Sequence, residues 1–391
     1  MPWSRTSPMQ QRTLFIADHL HGTRTHSELC LEYGISRKTG YKWIERYLRH
    51  GVQGLEERSR RPRGSPQATA AHIVAAILEC RKRHPSWGPK KILSVLHRQH
   101  PQWHLPHRST GAQILRRHGL IERKSRRRRI GHPGRPHSSI SAVNQVWCAD
   151  FKGQFRMGNG QYCYPLTVSD AHSRFLLGCE GMLSPSGRPC QRSFTRLFHE
   201  FGLPQRIRTD NGAPFATYTL ARLSRLSVWW VRLGILPELI EPGKPQQNGR
   251  HERMHRTLKA HAARPPAHTL RAQQRRFDVF RQEFNYERPH EGIDMQTPAS
   301  LYRRSLRCMP SKLPPFEYPA HYEVRRVMIS CGIRWKCTWI AVSAACIGEL
   351  IGFEEIDDGL WNVYLGKLKL GRFNERLQRI EDVYSRVITH H

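Results

Sequence analysis

Apolar positions recur along this chain with two periods, and the change of period divides it. From His26 to Gly51 the segment HSELCLEYGISRKTGYKWIERYLRHG predicts two helices joined by a tight turn. Leu29 and Tyr33 face inward from the first, and Gly34 supplies the left-handed backbone of the turn. Ile35 packs beneath, Ser36 caps the second helix, and Trp43, Ile44 and Tyr47 give that helix an apolar stripe. Helical spacing continues in AAHIVAAILECRKRH, restarts at Pro89 in SWGPKKILSVLHR, and forms a third helix in RSTGAQILRRHG that Gly119 ends.

The period shortens after residue 144. Three β-type runs are predicted at 146–156, 161–169 and 174–182, the first two joined through Gly158, Asn159 and Gly160, a strong hairpin signal. The segment PCQRSFTRLFHEFG returns to helix and ends at Gly202. LPQRIRTDNG is a short strand running into Asp210, and a polar stretch with Pro245, Asn248 and Gly249 leads into a helix carrying Glu252, His255, Arg256 and Lys259. From about 315 the texture changes again. HYEVRRVMISC, GIRWKCTWIAVS, ELIGFEEID and LWNVYLGKLKLGRF are short β-type runs split by Gly and Asp turns, predicting a small antiparallel barrel or sheet. The expected architecture is therefore multidomain α+β. A helix-turn-helix unit occupies 1–64 and a second helical unit of similar form 67–123. A basic linker follows at 124–143, an α/β core with a mixed sheet flanked by helices at 144–303, and a β-rich domain at 315–377.

Charge points to the partner. With 64 Lys and Arg against 31 Asp and Glu, the 391-residue chain carries a formal charge of +33, an excess suited to a polyanion. Double-stranded DNA is the expected partner. Arg37, Lys38, Thr39 and Lys42 lie near the start of the second helix, where a recognition helix meets bases and phosphates. The run RKSRRRRIGHPGRPH, with Arg126, Arg127, Arg128 and Arg129, cannot form a core and reads as a phosphate-tracking tether. No apolar run approaches the ~20 residues of a bilayer span, and the first residues have no secretory pattern. No membrane and no small-molecule substrate are expected. The ten cysteines form no CxxC pair, so they are expected as reduced, mostly buried thiols without structural zinc.

Candidate chemistry lies in three acidic residues. Asp150 stands inside an apolar strand, where a charge needs compensation. Asp210 ends a strand of an α/β unit, where such folds place ligands. Glu252 shares a helix face with Lys259, two turns on. Each is unremarkable alone: an outward Asp, an ordinary Asp-Asn-Gly turn, a surface Glu. Together, VWCADFKG, YPLTVSDAHSRFLL, IRTDNGAPFA and GKPQQNGRHERMHRTLK resemble the core of the retroviral-integrase superfamily, whose fold is ribonuclease-H-like. With ISRKTGYKW, SWGPKKI and GLIERKSRRR before them and NYERPHEGIDMQTPASLY and LIGFEEIDDGLWNVYLG after, the chain resembles a bacterial insertion-sequence transposase with an N-terminal helix-turn-helix.

That resemblance implies an Asp-Asp-Glu (DDE) triad of Asp150, Asp210 and Glu252 holding Mg²⁺ or Mn²⁺, two ions in all, and cutting and joining DNA strands. It matches Lys259, near Arg256, to a lysine that binds DNA ends. It also implies a homo-oligomer on DNA in the bacterial cytoplasm, at the nucleoid. Asp210 and Glu252 stand 42 positions apart, longer than in many relatives, the extra residues falling around LSRLSVWWVRLGILPELIEPGK. Two other readings stay open: a DNA-binding regulator with a vestigial core, and a metal nuclease of the same fold that never joins strands.

Overall fold

Three helices close over Trp43 at the front of the chain: α1 (Pro8–His21), α2 (His26–Glu32) and α3 (Arg37–His50). The computed structural model describes residues 7–58, 68–121, 139–241 and 249–383, and the chain divides into two units, Met1–Thr69 and Ala70–His391. In the first, Phe15, Ile16, Leu29, Cys30, Trp43 and Leu55 form the core. Gly34 takes φ +65° in the turn, and the Ser36 hydroxyl accepts from Thr39 N–H at 3.2 Å, as expected of a helix cap. Gly40 serves close approach: a Cβ there would stand 2.7 Å from Cys30 Sγ and 2.6 Å from the His26 ring. This is the two-helix arrangement expected at residues 26–51.

The second unit begins with α4 (Ala71–Arg83), α5 (Pro89–Gln99) and α6 (Arg108–Arg117) around Ile77, Trp87, Ile92 and Leu115. A mixed sheet follows, built from β1 (Val146–Phe151), β2 (Phe155–Arg156), β3 (Tyr162–Asp170), β4 (Leu176–Met182), β5 (Arg206–Thr209) and β6 (Leu236–Leu239). Strands β1 to β4 pair antiparallel through β3, whereas β5 and β6 extend the sheet in parallel from β1. The hairpin expected through Gly158–Gly160 joins β2 to β3.

Alternation along the strands sends side chains to two faces. On one, Trp147, Ala149, Leu166 and Val168 pack against α7 (Gly187–Phe201) and α8 (Arg225–Arg232) through Phe194, Phe198 and Trp230. On the other, Cys163, Leu176 and Cys179 meet Met254, Leu258, Phe277 and Phe280 of α9 (Gly249–Ala262) and α10 (Leu270–Gln282). Asp150, in step with Val146 and Cys148, falls on this second side.

Strand β4 is paired on one side, by β3, and side chains of α10 and the π-turn after it (Glu283–Glu287) satisfy its other side. Asn285 accepts from Leu176 N–H at 2.8 Å and donates to Leu176 O at 3.0 Å. Arg281 donates to Leu177 O, and Gln274 bridges Cys179 O and Gly181 N–H. Asn285 is 2% exposed, so truncating it strands two buried backbone groups. Asn285→Ala is expected to lower unfolding stability by roughly 2–4 kcal/mol, read from urea denaturation. A loss under ~0.5 kcal/mol would show that the edge does not depend on this side chain.

The helical cluster of α4 to α6 meets the core at the same π-turn. Glu283 faces two imidazoles, His84 Nδ1 at 3.3 Å and His261 Nδ1 at 3.5 Å. Ser86 Oγ hydrogen-bonds His261 Nε2 at 2.6 Å and accepts from Arg288 at 3.2 Å. His84 stacks on Trp87 at 3.8 Å, and Lys90 pairs with Glu291. His261 closes α9, so this polar contact touches the helix that carries Glu252.

The C-terminal part is an open antiparallel sheet, with no closed barrel among the described residues. Its order is β13 (Arg379–Asp382), β12 (Leu368–Asn374), β11 (Leu360–Leu365), β10 (Leu350–Asp357) and β7 (Glu323–Arg326). The hairpin of β8 (Gly332–Trp335) and β9 (Thr338–Ala341) lies against it. This sheet shares one apolar cluster with Leu220, Ala221, Leu223, Val228 and Val231 of the core.

Candidate active site

Parallel pairing brings two carboxylates to one end of the sheet. Cys148 of β1 stands opposite Arg208 of β5; Asp150 lies two residues further along β1, and Asp210 just past the end of β5, so both fall at the carboxyl ends of adjacent strands, which lie about 4.8 Å apart. Asp150 is half-buried, with 19% of its side chain exposed. Burial pushes its carboxyl up to about 7, and the nearby charges of Asp210 and Glu252 push the same way. Asp210 is also raised, by burial, against a hydrogen bond that its Oδ1 accepts from Gly212 N–H. Glu252 projects from the first turn of α9 and is exposed. Asp210 and Glu252 are thus both within electrostatic reach of Asp150.

A buried polar pin sets α9 against the sheet. Thr167 stands opposite Asp150 across the β1–β3 pairing. Its hydroxyl donates to Asp150 O at 3.0 Å and lies 2.6 Å from Nε2 of both His251 and His255. With the hydroxyl proton committed to the carbonyl, both imidazoles donate from Nε2. Ser169 Oγ meets His251 Nδ1 at 3.1 Å. Burial pushes His251 down to about 3 and His255 to about 2, so both stay neutral. The 3.7 Å approach of His255 Nδ1 to Asp150 Oδ2 is therefore not an ion pair. Sequence reasoning singled out neither Thr167 nor the role of His251. The i, i+4 spacing of the two histidines beside Glu252 is the signal that could have found the pair.

Basic residues flank the acids. Arg256 and Lys259 are exposed on the face of α9 that carries Glu252. Lys152, which sequence reasoning passed over, is lowered by burial and by Lys259, against the pull of Asp150. It belongs to the same neighbourhood.

In the first unit Arg37 and Lys38 are exposed at the start of α3, while the Thr39 hydroxyl is drawn into the cap with Ser36. The Lys42 ammonium lies 4.4 Å from the centre of the Trp43 ring, which Arg12 and Arg46 also approach. Arg126, Arg127, Arg128 and Arg129 lie outside the described residues, as do Pro245 and Asn248.

Oxygen donors of the kind Asp150, Asp210 and Glu252 offer suit Mg²⁺ or Mn²⁺, which need few protein ligands beside phosphate and water. Among the described residues no group of three His, Cys, Asp or Glu stands within ligating reach of one point. The fit is one of donor type and convergence and not of a preassembled cage.

Two family profiles described as "Integrase core domain" match residues 141–245 and 233–298. A "Helix-turn-helix domain" profile matches 11–63, and a "Homeodomain-like domain" profile matches 39–115. Among curated proteins, "Insertion element IS407 uncharacterized 31.7 kDa protein" of Burkholderia multivorans is 24% identical over 235 residues, covering 59% of this chain and 80% of that one. "Insertion element IS476 uncharacterized 39.2 kDa protein" of Xanthomonas euvesicatoria is 27% identical over 259 residues, covering 64% and 70%. This chain carries an integrase core domain behind helix-turn-helix domains and is similar to proteins of bacterial insertion elements.

In this chain the matched integrase-core residues contain the whole mixed sheet together with α7, α8, α9 and α10. Among solved structures, the HTLV-2 integrase catalytic core domain in complex with magnesium is 14% identical. The match covers 41% of this chain and 98% of that one, with a TM-score of 0.33. Among the described residues, no helix is long and apolar enough to cross a membrane.

Proposed function

We propose that this chain is an insertion-sequence transposase that cuts DNA at the ends of its element and joins those ends to target DNA, with Asp150, Asp210 and Glu252 as catalytic carboxylates. The observation that carries this reading is that Asp150 on β1 has Asp210, just past the parallel strand β5, and Glu252 on α9 both near enough to raise its pKa. Asp150, Asp210 and Glu252 would hold the divalent ions, two in all, through carboxylate oxygens. Bound Mg²⁺ or Mn²⁺ would supply an activated oxygen nucleophile and stabilise charge on the leaving oxygen. The Thr167, His251 and His255 pin would hold α9 so that Glu252 stays near Asp150. Lys152, Arg256 and Lys259 offer positive charge to the phosphates flanking the scissile bond. Each step exchanges one P–O bond for another. Water attacks first and frees a 3′-hydroxyl, which then attacks a target phosphodiester, with no covalent link to the protein.

The front unit would hold the element end through α3. Arg37→Ala or Lys42→Ala is expected to weaken binding to the terminal DNA by ~3–10-fold and lower the salt slope by about 1. Fluorescence anisotropy across a salt series reads this, and unchanged affinity in both variants refutes the placement. Nicking with Mg²⁺ followed by joining of pre-cut ends tests the function as a whole. Binding without nicking points instead to a regulator, and nicking without joining to a nuclease. Paired DNA ends also call for more than one copy of the chain, acting at the nucleoid.

A further inference from the structure

The turn that enters α8 holds its backbone in an unusual form. Ala221 and Arg222 sit at φ +52° and +53°, a region that crowds side chains and that glycine favours. Two such residues in succession persist only where their surroundings fix them. Surroundings of two kinds do so here. On one side Leu220, Ala221 and Leu223 are buried in the cluster formed with Val327, Ile333, Trp335, Phe353 and Phe373 of the C-terminal sheet. On the other, Arg222 Nη1 donates to Asn211 Oδ1 at 2.8 Å, and Asn211 Nδ2 donates to Ile240 O at 2.8 Å. Thr217 N–H donates to Arg222 O, and the Thr219 hydroxyl donates to Leu223 O at 2.7 Å, closing the loop. Asn211, the neighbour of Asp210, is therefore gripped between the end of β6 and a turn braced by the C-terminal sheet.

We propose that Arg222 is a positioning residue through which the C-terminal sheet fixes the Asp210 carboxylate. Burial of Leu220, Ala221 and Leu223 aims the guanidinium at Asn211, and the hydrogen bond keeps Asp210 near Asp150. Arg222 is half-buried with this donor engaged, unlike the exposed Arg37 on α3. The proposal rests on Asp210 being a catalytic carboxylate, as proposed above.

The test uses the full chain with Arg222→Met, Arg222→Lys and Asp210→Asn as a control. Three quantities are read: the melting midpoint without divalent metal, the Mn²⁺ concentration that half-saturates the thermal shift, and the nicking rate at saturating Mn²⁺. Arg222→Met is expected to raise the half-saturating Mn²⁺ and lower nicking by ~10–100-fold, the usual scale for residues that orient metal ligands. Its metal-free midpoint should stay within a few degrees of the parent, and Arg222→Lys should recover most of both losses. If Arg222→Met unfolds at markedly lower temperature, Asn211→Ala removes the other end of the same hydrogen bond and is read by the same assays. Wild-type Mn²⁺ dependence and nicking in Arg222→Met and Asn211→Ala, beside an inactive Asp210→Asn, overturn the Arg222 proposal alone. Full nicking by Asp210→Asn overturns the assignment of Asp210 and this proposal with it.

Discussion

Replacing Asp150 with Asn is expected to end DNA cleavage and, at pH 8 without divalent metal, to make the protein harder to unfold. Both effects follow from the same burial. The carboxyl is raised from 3.8 to about 7, so the folded chain keeps this proton well above the pH at which the unfolded chain releases it. Stability from that proton is full below about pH 4 and is lost as pH rises towards 7. Above that point the fold carries a half-buried charge, facing two like charges, that Asn does not have. The variant should gain roughly 2–4 kcal/mol over the parent at pH 8 in chelator-treated buffer, and little at pH 4. Added Mn²⁺ should stabilise the parent, by about 2.7 kcal/mol at a hundred times its Kd, and leave the variant unmoved.

Nicking should fall by roughly three orders of magnitude or more, about 4 kcal/mol of transition-state stabilisation. Asp210→Asn and Glu252→Gln should lose nicking to a similar extent, while DNA binding stays near the parent level in all three. Gel-based nicking, anisotropy and thermal melts give these values. Full cleavage by any of the three variants sinks the triad, and an Asp150→Asn protein less stable than the parent at pH 8 contradicts the burial argument.

A second large effect is expected two residues before Asp210. Arg208 of β5 is 3% exposed and stands in register with Glu238 of β6. Its Nε and Nη2 both lie 2.7 Å from Glu238 Oε1. Taking two charges out of water is costly, and removing one partner leaves the other buried without its counter-charge. Glu238→Ala should cost roughly 3–5 kcal/mol in urea unfolding. The double variant Arg208→Met, Glu238→Leu should recover most of that loss, because a well-packed apolar pair needs no counter-charge. A double variant as unstable as the single one would locate the loss in packing and not in charge. Nicking should follow the same order, since β5 delivers Asp210.

Local signals carried much of this fold. Gly34 and Ser36 mark the turn between α2 and α3, Pro89 starts α5, and Gly158–Gly160 turn β2 into β3. Each acts within a few residues of itself. Asp150 and Asp210 could be placed on a strand and at a strand end for the same reason. Contacts between distant positions left no such trace. Thr167 meets His251 and His255 across 84 and 88 positions, and Glu283 faces His84 from 199 positions away. Strand β6, LPEL, is four half-buried residues without alternation, and β13 is equally short. The C-terminal runs read as a separate block because nothing in Leu220–Val231 announces which sheet will cover it.

The side chains of Gln274, Arg281 and Asn285 along β4 have a consequence for any copies of this protein that meet at this flank. A bare strand edge is a template: it accepts any extended segment at a 4.7–4.8 Å repeat, and can seed cross-β growth. Along β4 that template is already occupied by groups from the same chain, so neighbouring molecules cannot zip together there backbone to backbone. Association at this flank is left to side-chain complementarity, which can tell one partner from another, and strand stacking cannot.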